Sequence, residues 1–180
     1  MILLIAGSSH TGKTLLAQKL MERHRWPYLS IDHLKMGLIR SGMLPLSPCD
    51  EAALTPALWP VLREIIKTAV ENDQNLIIEG CYIPFDWQDS FDEEYLPHIR
   101  ALWLIMSRGY IETHFGDIQR HASDIECRGE DEGLAADWLI SDNERNLAGC
   151  QHHGCPYLLI DGIYDVDWPD ASDFPPKFTE

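Results

Sequence analysis

One octapeptide limits what this chain can fold into more than any other feature. Gly7-Ser8-Ser9-His10-Thr11-Gly12-Lys13-Thr14 fits the pattern G-x-x-x-x-G-K-[ST], and it stands between the apolar run MILLIA and the amphipathic run GKTLLAQKLMERH. A loop of this kind needs a strand to deliver it and a helix to leave it. The glycines let the backbone close on phosphate oxygens, successive N–H groups turn inward, and the helix presents its N-terminus to the anion. In that arrangement Lys13 reaches the outer phosphates and the Thr14 hydroxyl is a magnesium ligand. Gly7, Ser8, Ser9, Thr11, Gly12 and Leu15 complete the cradle, with His10 as a spacer whose side chain points outward.

Four further strand-like runs follow: PYLSI (27–31), NLIIEG (75–80), ALWLIM (101–106) and YLLID (157–161). Each is short and almost continuously apolar, as strands buried on both faces of a parallel sheet are. In the first intervening stretch Leu15, Leu16, Lys19 and Leu20 recur at helical spacing. A second helix is expected over HLKMGLIRS, and a third over about 58–72 with Thr55 and Pro56 as its cap and first turn. Pro60 should kink that third helix or move its start. Helical pattern returns near 110–122 and 134–150. Alternation of this kind implies right-handed βαβ units in a three-layer α/β fold. The 180 residues give one domain, being short for two cores. The end, DVDWPDASDFPPKFTE (165–180), is acidic and proline-bearing and is expected to be loosely docked or disordered.

The formal charge is -15, with 14 Lys and Arg against 29 Asp and Glu, so the surface repels nucleic acid and anionic lipid. No nucleic-acid or membrane partner is expected. No apolar run reaches the length of a membrane span, and MILLIAG has neither the basic leader nor the length of a signal peptide. Five cysteines, an odd number without a C-x-x-C pair, read as reduced thiols of a cytoplasmic protein. The run CQHHGCP (150–156) offers Cys150, His152, His153 and Cys155 as zinc ligands. Tetrahedral sites draw their pairs from two separated loops, however, and Gly154 with Pro156 reads as the turn into the last strand.

A phosphate chain so held can be hydrolysed, kept as a signal or passed on. The N/T-K-x-D element of a GTPase and the signature peptide of an ABC-type ATPase are both absent. The stretch YLSIDHLKMGLIRSG is present instead. It puts Asp32 at the carboxyl end of the second strand, the edge where α/β sheets bind ligands, with Lys35 and Arg40 on the next helix. Transfer to a small molecule needs a carboxylate for the acceptor's proton, cations for the acceptor's own anionic group, and the γ-phosphate in line. Asp32 suits the first role, worth about 10²–10⁴ in rate. Lys35 and Arg40 suit the second. The competing readings are a helix N-cap for Asp32 and solvated helix charges for the two cations.

The phosphate loop, Asp32 and the spacing of the five strands together resemble the adenylate-kinase-like branch of the P-loop kinases. That branch includes shikimate, gluconate and chloramphenicol kinases and 2-phosphoglycerate kinase-like proteins. The resemblance reaches to about Asp161. It implies a five-stranded parallel sheet of order 2-3-1-4-5, ATP with Mg²⁺, and a small helical lid over roughly 107–137. By position Glu79 matches an acidic residue that the family keeps near the metal, which makes Thr14, Asp32 and Glu79 the candidate magnesium ligands. True adenylate kinases continue with an acid-Gly-aromatic-Pro-Arg run. This chain reads Glu79-Gly80-Cys81-Tyr82-Ile83-Pro84-Phe85, and the missing arginine points away from AMP as acceptor.

Glu79 and Tyr82 would then line the acceptor pocket. Trp59 and Trp87 fall nearby, although aromatics at such spacing more often fill a core. Lid arginines that close on a transferring phosphoryl group are worth about 10³–10⁵ in rate. Arg120 and Arg128 are the candidates, with Arg145 near the nucleotide, and for each the alternative is a surface charge. Glu130-Asp131-Glu132 reads as a solvated acidic turn. The expectation is an ATP-dependent kinase of a small hydroxylated or anionic metabolite. A nucleotide-binding regulator or slow ATPase working through a protein partner is the competing class, and a nucleoside monophosphate kinase the nearer variant.

Overall fold

The apolar runs form the sheet. In the computed structural model, which describes residues 1–121 and 135–166, they become β1 (Ile2–Gly7), β2 (Tyr28–Ser30), β3 (Leu76–Glu79), β4 (Ile99–Met106) and β5 (Tyr157–Ile160). All pairs are parallel and the order is β2-β3-β1-β4-β5, as the resemblance implied. β1 is central and every one of its residues is buried. Its side chains alternate between two cores. Ile2, Leu4 and Ala6 pack with α3 (Glu51–Glu71), whereas Leu3 and Ile5 pack with α1 (Lys13–His24) and α4 (Arg108–His121). The remaining helices are α2 (Ile31–Arg40) and α5 (Ala136–His153). Helix, sheet and helix thus make the three layers. Among the described residues no helix is long and apolar enough to cross a membrane.

α3 departs from its expected bounds. It begins at Glu51, with Asp50 in the N-cap position, so Thr55 and Pro56 lie inside the helix and do not cap it. Pro60 lies inside as well and neither starts nor ends it. Leu54, Leu58, Leu62 and Ile66 recur every fourth residue and are wholly buried, and the Trp59 indole donates to Ser90 Oγ at 2.9 Å. Both prolines face solvent on the opposite side, where the carbonyls that lose their N–H partners turn to water. Burial of one face therefore outweighs two missing hydrogen bonds.

α5 runs on to His153 and ends at Gly154 in the left-handed region, φ 67°. Cys150 and Cys155 turn inward, the Cys155 thiol donating to the Phe85 carbonyl at 3.2 Å, while His152 and His153 are exposed. CQHHGCP is thus the last turn of α5 followed, from Gly154, by the turn into β5. The segment assigned to a lid opens with α4, whose Tyr110, Ile111 and Ile118 are buried in the second core. Its first part is therefore a packed layer of the fold. Residues 122–134, with Arg128 and Glu130-Asp131-Glu132, lie outside the described residues, as does the tail from 167.

The chain after β5 is docked as far as Val166, and the rest of the tail expected to be loose lies outside the described residues. Ser107 Oγ donates to Asp161 Oδ1 at 2.8 Å, Lys19 Nζ to the Val166 carbonyl at 3.3 Å, and the Tyr164 hydroxyl to the Thr11 carbonyl at 3.2 Å. Val166 is itself buried. Burial pushes the Tyr164 phenol up to about 12, and the neighbouring Tyr110 adds to the shift.

Two tests follow from this packing. Leu58→Ala should cost about 2–5 kcal/mol, whereas Pro60→Ala restores a donor and should stabilise by up to about 3 kcal/mol. Urea midpoints should move in opposite directions with the m-value unchanged. The folded Tyr164 phenol holds its proton more tightly than the unfolded one. Its contribution is thus fully present below about pH 10 and lost as the pH rises through about 12. The stability gap between wild type and Tyr164→Phe should narrow over that window; a gap independent of pH would contradict the assignment.

Candidate functional site

The site lies where β2, β3 and β1 end side by side. The register sets Ser30 opposite Glu79 and Glu79 opposite Ile5, so both side chains emerge beside the loop that leaves β1 at Gly7. Gly7 has φ 130°, and a Cβ there would stand 2.2 Å from the Leu104 carbonyl oxygen, so only glycine can turn at this point. Gly12 has φ 85°, and its Cβ would fall 1.6 Å from the Tyr164 hydroxyl. His10 is also left-handed, φ 65°, and half-buried.

Within the loop the Ser8 carbonyl accepts from Lys13 Nζ at 2.6 Å and from Thr11 Oγ1 at 2.9 Å. Lys13 is almost wholly buried, with its ammonium resting on a neutral carbonyl. Asn146 of α5 donates to Ser8 Oγ at 3.0 Å and steadies the loop from the side. α1 starts at Lys13 behind Gly12, with no side-chain cap and no acidic residue in its first turn. Its first N–H groups, with Ser9 and Leu15 half-buried alongside, thus remain for an anion.

The donor set for a divalent cation is made of oxygens. Thr14 Oγ1 donates to Glu79 Oε2 at 3.3 Å, and Glu79 is 2% exposed. Its register partner Ser30 is buried too, and Ser30 Oγ has no hydrogen-bond partner among the described residues. A buried carboxylate, a threonine hydroxyl and an orphaned serine hydroxyl fit a hard cation that keeps most of its water. Asp32, the third candidate ligand, is engaged elsewhere.

Asp32 is the second residue of α2, and Ser30 takes the N-cap position. Lys35, one turn on, donates to Asp32 Oδ1 at 2.5 Å and to the Tyr82 hydroxyl at 3.0 Å, with its nitrogen 5.0 Å from the Tyr82 ring centroid. Burial works to lower the Lys35 ammonium, but the hydrogen bonds with Asp32 and Tyr82 outweigh it and hold the group above its ordinary value. Burial likewise pushes the Tyr82 phenol up, against the pull of Lys35. These groups meet because Gly80 seats against α2, where a Cβ would stand 2.7 Å from the Ile31 Cβ. Ser9 Oγ and Cys81 Sγ, 3.9 Å apart, join the phosphate loop to the same segment.

The other candidate cations are not gathered here. Arg40 is exposed in the last turn of α2, about 12 Å along the axis from Asp32. Arg120 is exposed at the end of α4 and pairs with Asp117, and Arg145 is exposed on α5, 3.4 Å from Asp142. Trp59 and Trp87 belong to the core. Asn146, Ser30 and Tyr164 were not anticipated. Only Ser30 carried a signal, a hydroxyl ending an apolar run two residues before Asp32.

No protein-family model matches this sequence, and no curated protein does. Among solved structures the chain is similar to deoxyadenosine kinase from M. mycoides with the products dCMP and a flexible dCDP bound, with a TM-score of 0.55 and 12% identity over 92% of this chain and 93% of that one. Shikimate kinase from Bacteroides thetaiotaomicron follows with a TM-score of 0.49 and 13% identity, over 96% of this chain and 90% of that one. A sugar kinase from Janibacter sp. HTCC2649 has a TM-score of 0.46 and 17% identity, over 83% and 94%. The first likeness and the sheet order β2-β3-β1-β4-β5 together give this chain the fold of the P-loop kinases.

Proposed function

We propose that the protein is a phosphotransferase that moves the terminal phosphoryl group of ATP to a hydroxyl of a small molecule. The observation that carries this reading is the half-buried carboxylate of Asp32 beside the phosphate loop. Lys35 holds one of its oxygens, and the other has no hydrogen bond among the described residues. Merely holding or hydrolysing a nucleotide calls for no Asp–Lys–Tyr group on that side of the loop. The M. mycoides neighbour, a deoxyadenosine kinase, agrees with the reading.

In this reading Lys13 leaves the Ser8 carbonyl for the outer phosphates, where a charged acceptor replaces a neutral one. Thr14 and Glu79, with Ser30 beside them, would hold Mg²⁺, which when bound would supply charge neutralisation at the phosphate oxygens. The free oxygen of Asp32 accepts the proton of the acceptor hydroxyl. As the acceptor oxygen bonds to the γ-phosphorus, the bond from that phosphorus to the β–γ bridging oxygen breaks, and ADP leaves with the electron pair. Arg120 and Arg145 reach the phosphate only if they exchange Asp117 and Asp142 for it. The free thiols of Cys49, Cys81, Cys150 and Cys155 suit a cytoplasmic setting.

ADP release from Mg·ATP, measured with and without hydroxylated metabolites, tests the reading. One class of acceptor should raise the rate well above the water background. Asp32→Asn should lower acceptor-dependent turnover by about 10²–10⁴ while shifting the Kd for ATP by less than about threefold. Turnover indifferent to every acceptor, or an Asn variant that transfers at the wild-type rate, would contradict it and favour a regulator acting through a protein partner.

A further inference from the structure

Resting on the phosphotransferase reading, we infer that the acceptor is a compact hydroxy acid whose anionic group sits on the carbon next to the phosphorylated hydroxyl or one carbon further. Lys35, positioned by Tyr82, is the group that reads this anion.

The Lys35 side chain is 11% exposed in a protein of formal charge -15, and its single counter-charge among the described residues is Asp32. Lysine is seldom withdrawn from water this far without a paired anion. When Asp32 takes the acceptor's proton it becomes neutral, and the ammonium then loses its only compensating charge among the described residues. An anion on the acceptor supplies the replacement at that moment. An uncharged acceptor leaves a desolvated cation facing a neutral acid, so transfer to it is slower.

An ammonium has three N–H donors, and Asp32 and Tyr82 occupy two of them among the described residues, which leaves one for a ligand. Lys35 Nζ and Asp32 Oδ1 are 2.5 Å apart. The acceptor hydroxyl takes the other oxygen of the same carboxylate, so a hydroxyl bonded there and an acid oxygen bonded to Lys35 on the same side of the pair can stand about 3–5 Å from each other. That is the separation within a 2- or 3-hydroxy acid, and a long acceptor with a remote anion does not offer it. Tyr82 fixes the direction of the donor through its hydroxyl and by lying under the cation. Arg40, about one and a half turns beyond Lys35 on α2, serves an anion only at longer range.

The test is an acceptor panel of paired compounds with the full chain and Mg·ATP. Two- to seven-carbon hydroxycarboxylates and hydroxyalkyl phosphates are compared with the primary amides of the same acids, with glycerol and with deoxyadenosine. The best acid should exceed its own amide by about 10²-fold or more in kcat/KM. Lys35→Met should shrink that gap below about tenfold, chiefly through the KM of the acid. Tyr82→Phe keeps the ring and removes only the hydroxyl, so it stays informative if Lys35→Met folds poorly. It should raise KM for the acid several-fold and by a clearly larger factor than for the amide. The inference is overturned if glycerol or deoxyadenosine is the best acceptor, if amide and acid perform alike, or if Arg40→Ala and not Lys35→Met erases the preference. No acceleration by any compound would instead overturn the phosphotransferase reading, and this inference with it.

Discussion

The site depends on the register of β1 between β3 and β4. Ile5 lies opposite Glu79 on one side and Leu102 on the other, and two residues later Gly7 turns against the Leu104 carbonyl. A shift of one residue would send Leu3 and Ile5 to the wrong core and carry Gly7 away from the only place where its lack of a side chain is required. The shift would also separate Thr14 from Glu79, because α1 leaves directly from the loop. The sheet thus fixes loop, helix and carboxylate in one step, and the helices mainly hold it to that register.

Two lysines then stand on either side of this edge with their charges withdrawn from water. Lys13 rests on a backbone carbonyl of its own loop, and Lys35 rests on a carboxylate and a phenol. Neither is a strong stability device: a desolvated ammonium gives back in lost hydration most of what its hydrogen bonds gain. Their value is preorganisation. Each cation is already largely withdrawn from water and held in place, so on the proposed reading an arriving anion would replace an internal acceptor without ordering a flexible side chain. The strongly acidic surface elsewhere keeps anions from binding at random, which sharpens the contrast between this edge and the rest of the molecule.

The fold was legible because its strands are short apolar runs with clear ends, and the phosphate loop because its residue types are tied to a backbone shape. α3 was misread at its start since Thr55-Pro56 looks locally like a cap. The decision was made by the buried row from Leu54 to Ile66, a tertiary fact. Asp32 and Lys35 were identified as two separate roles, although their spacing of three on a helix already allowed the ion pair that the structure shows. The same spacing allowed Arg120 with Asp117 and Arg145 with Asp142. Tyr164 and Asn146 were out of reach. They touch Thr11 and Ser8 across separations of 153 and 138 residues, which no local pattern encodes.

The central claim is that phosphate held by the loop is handed across the edge toward Asp32. ³¹P NMR of Mg·ATP turnover in a small-metabolite extract tests it most directly, since the fate of the phosphorus is read without choosing an acceptor beforehand. The account predicts a new phosphomonoester resonance that grows in step with ADP and is absent with Asp32→Asn. Growth of inorganic phosphate alone, at the same rate with and without the extract, would contradict it.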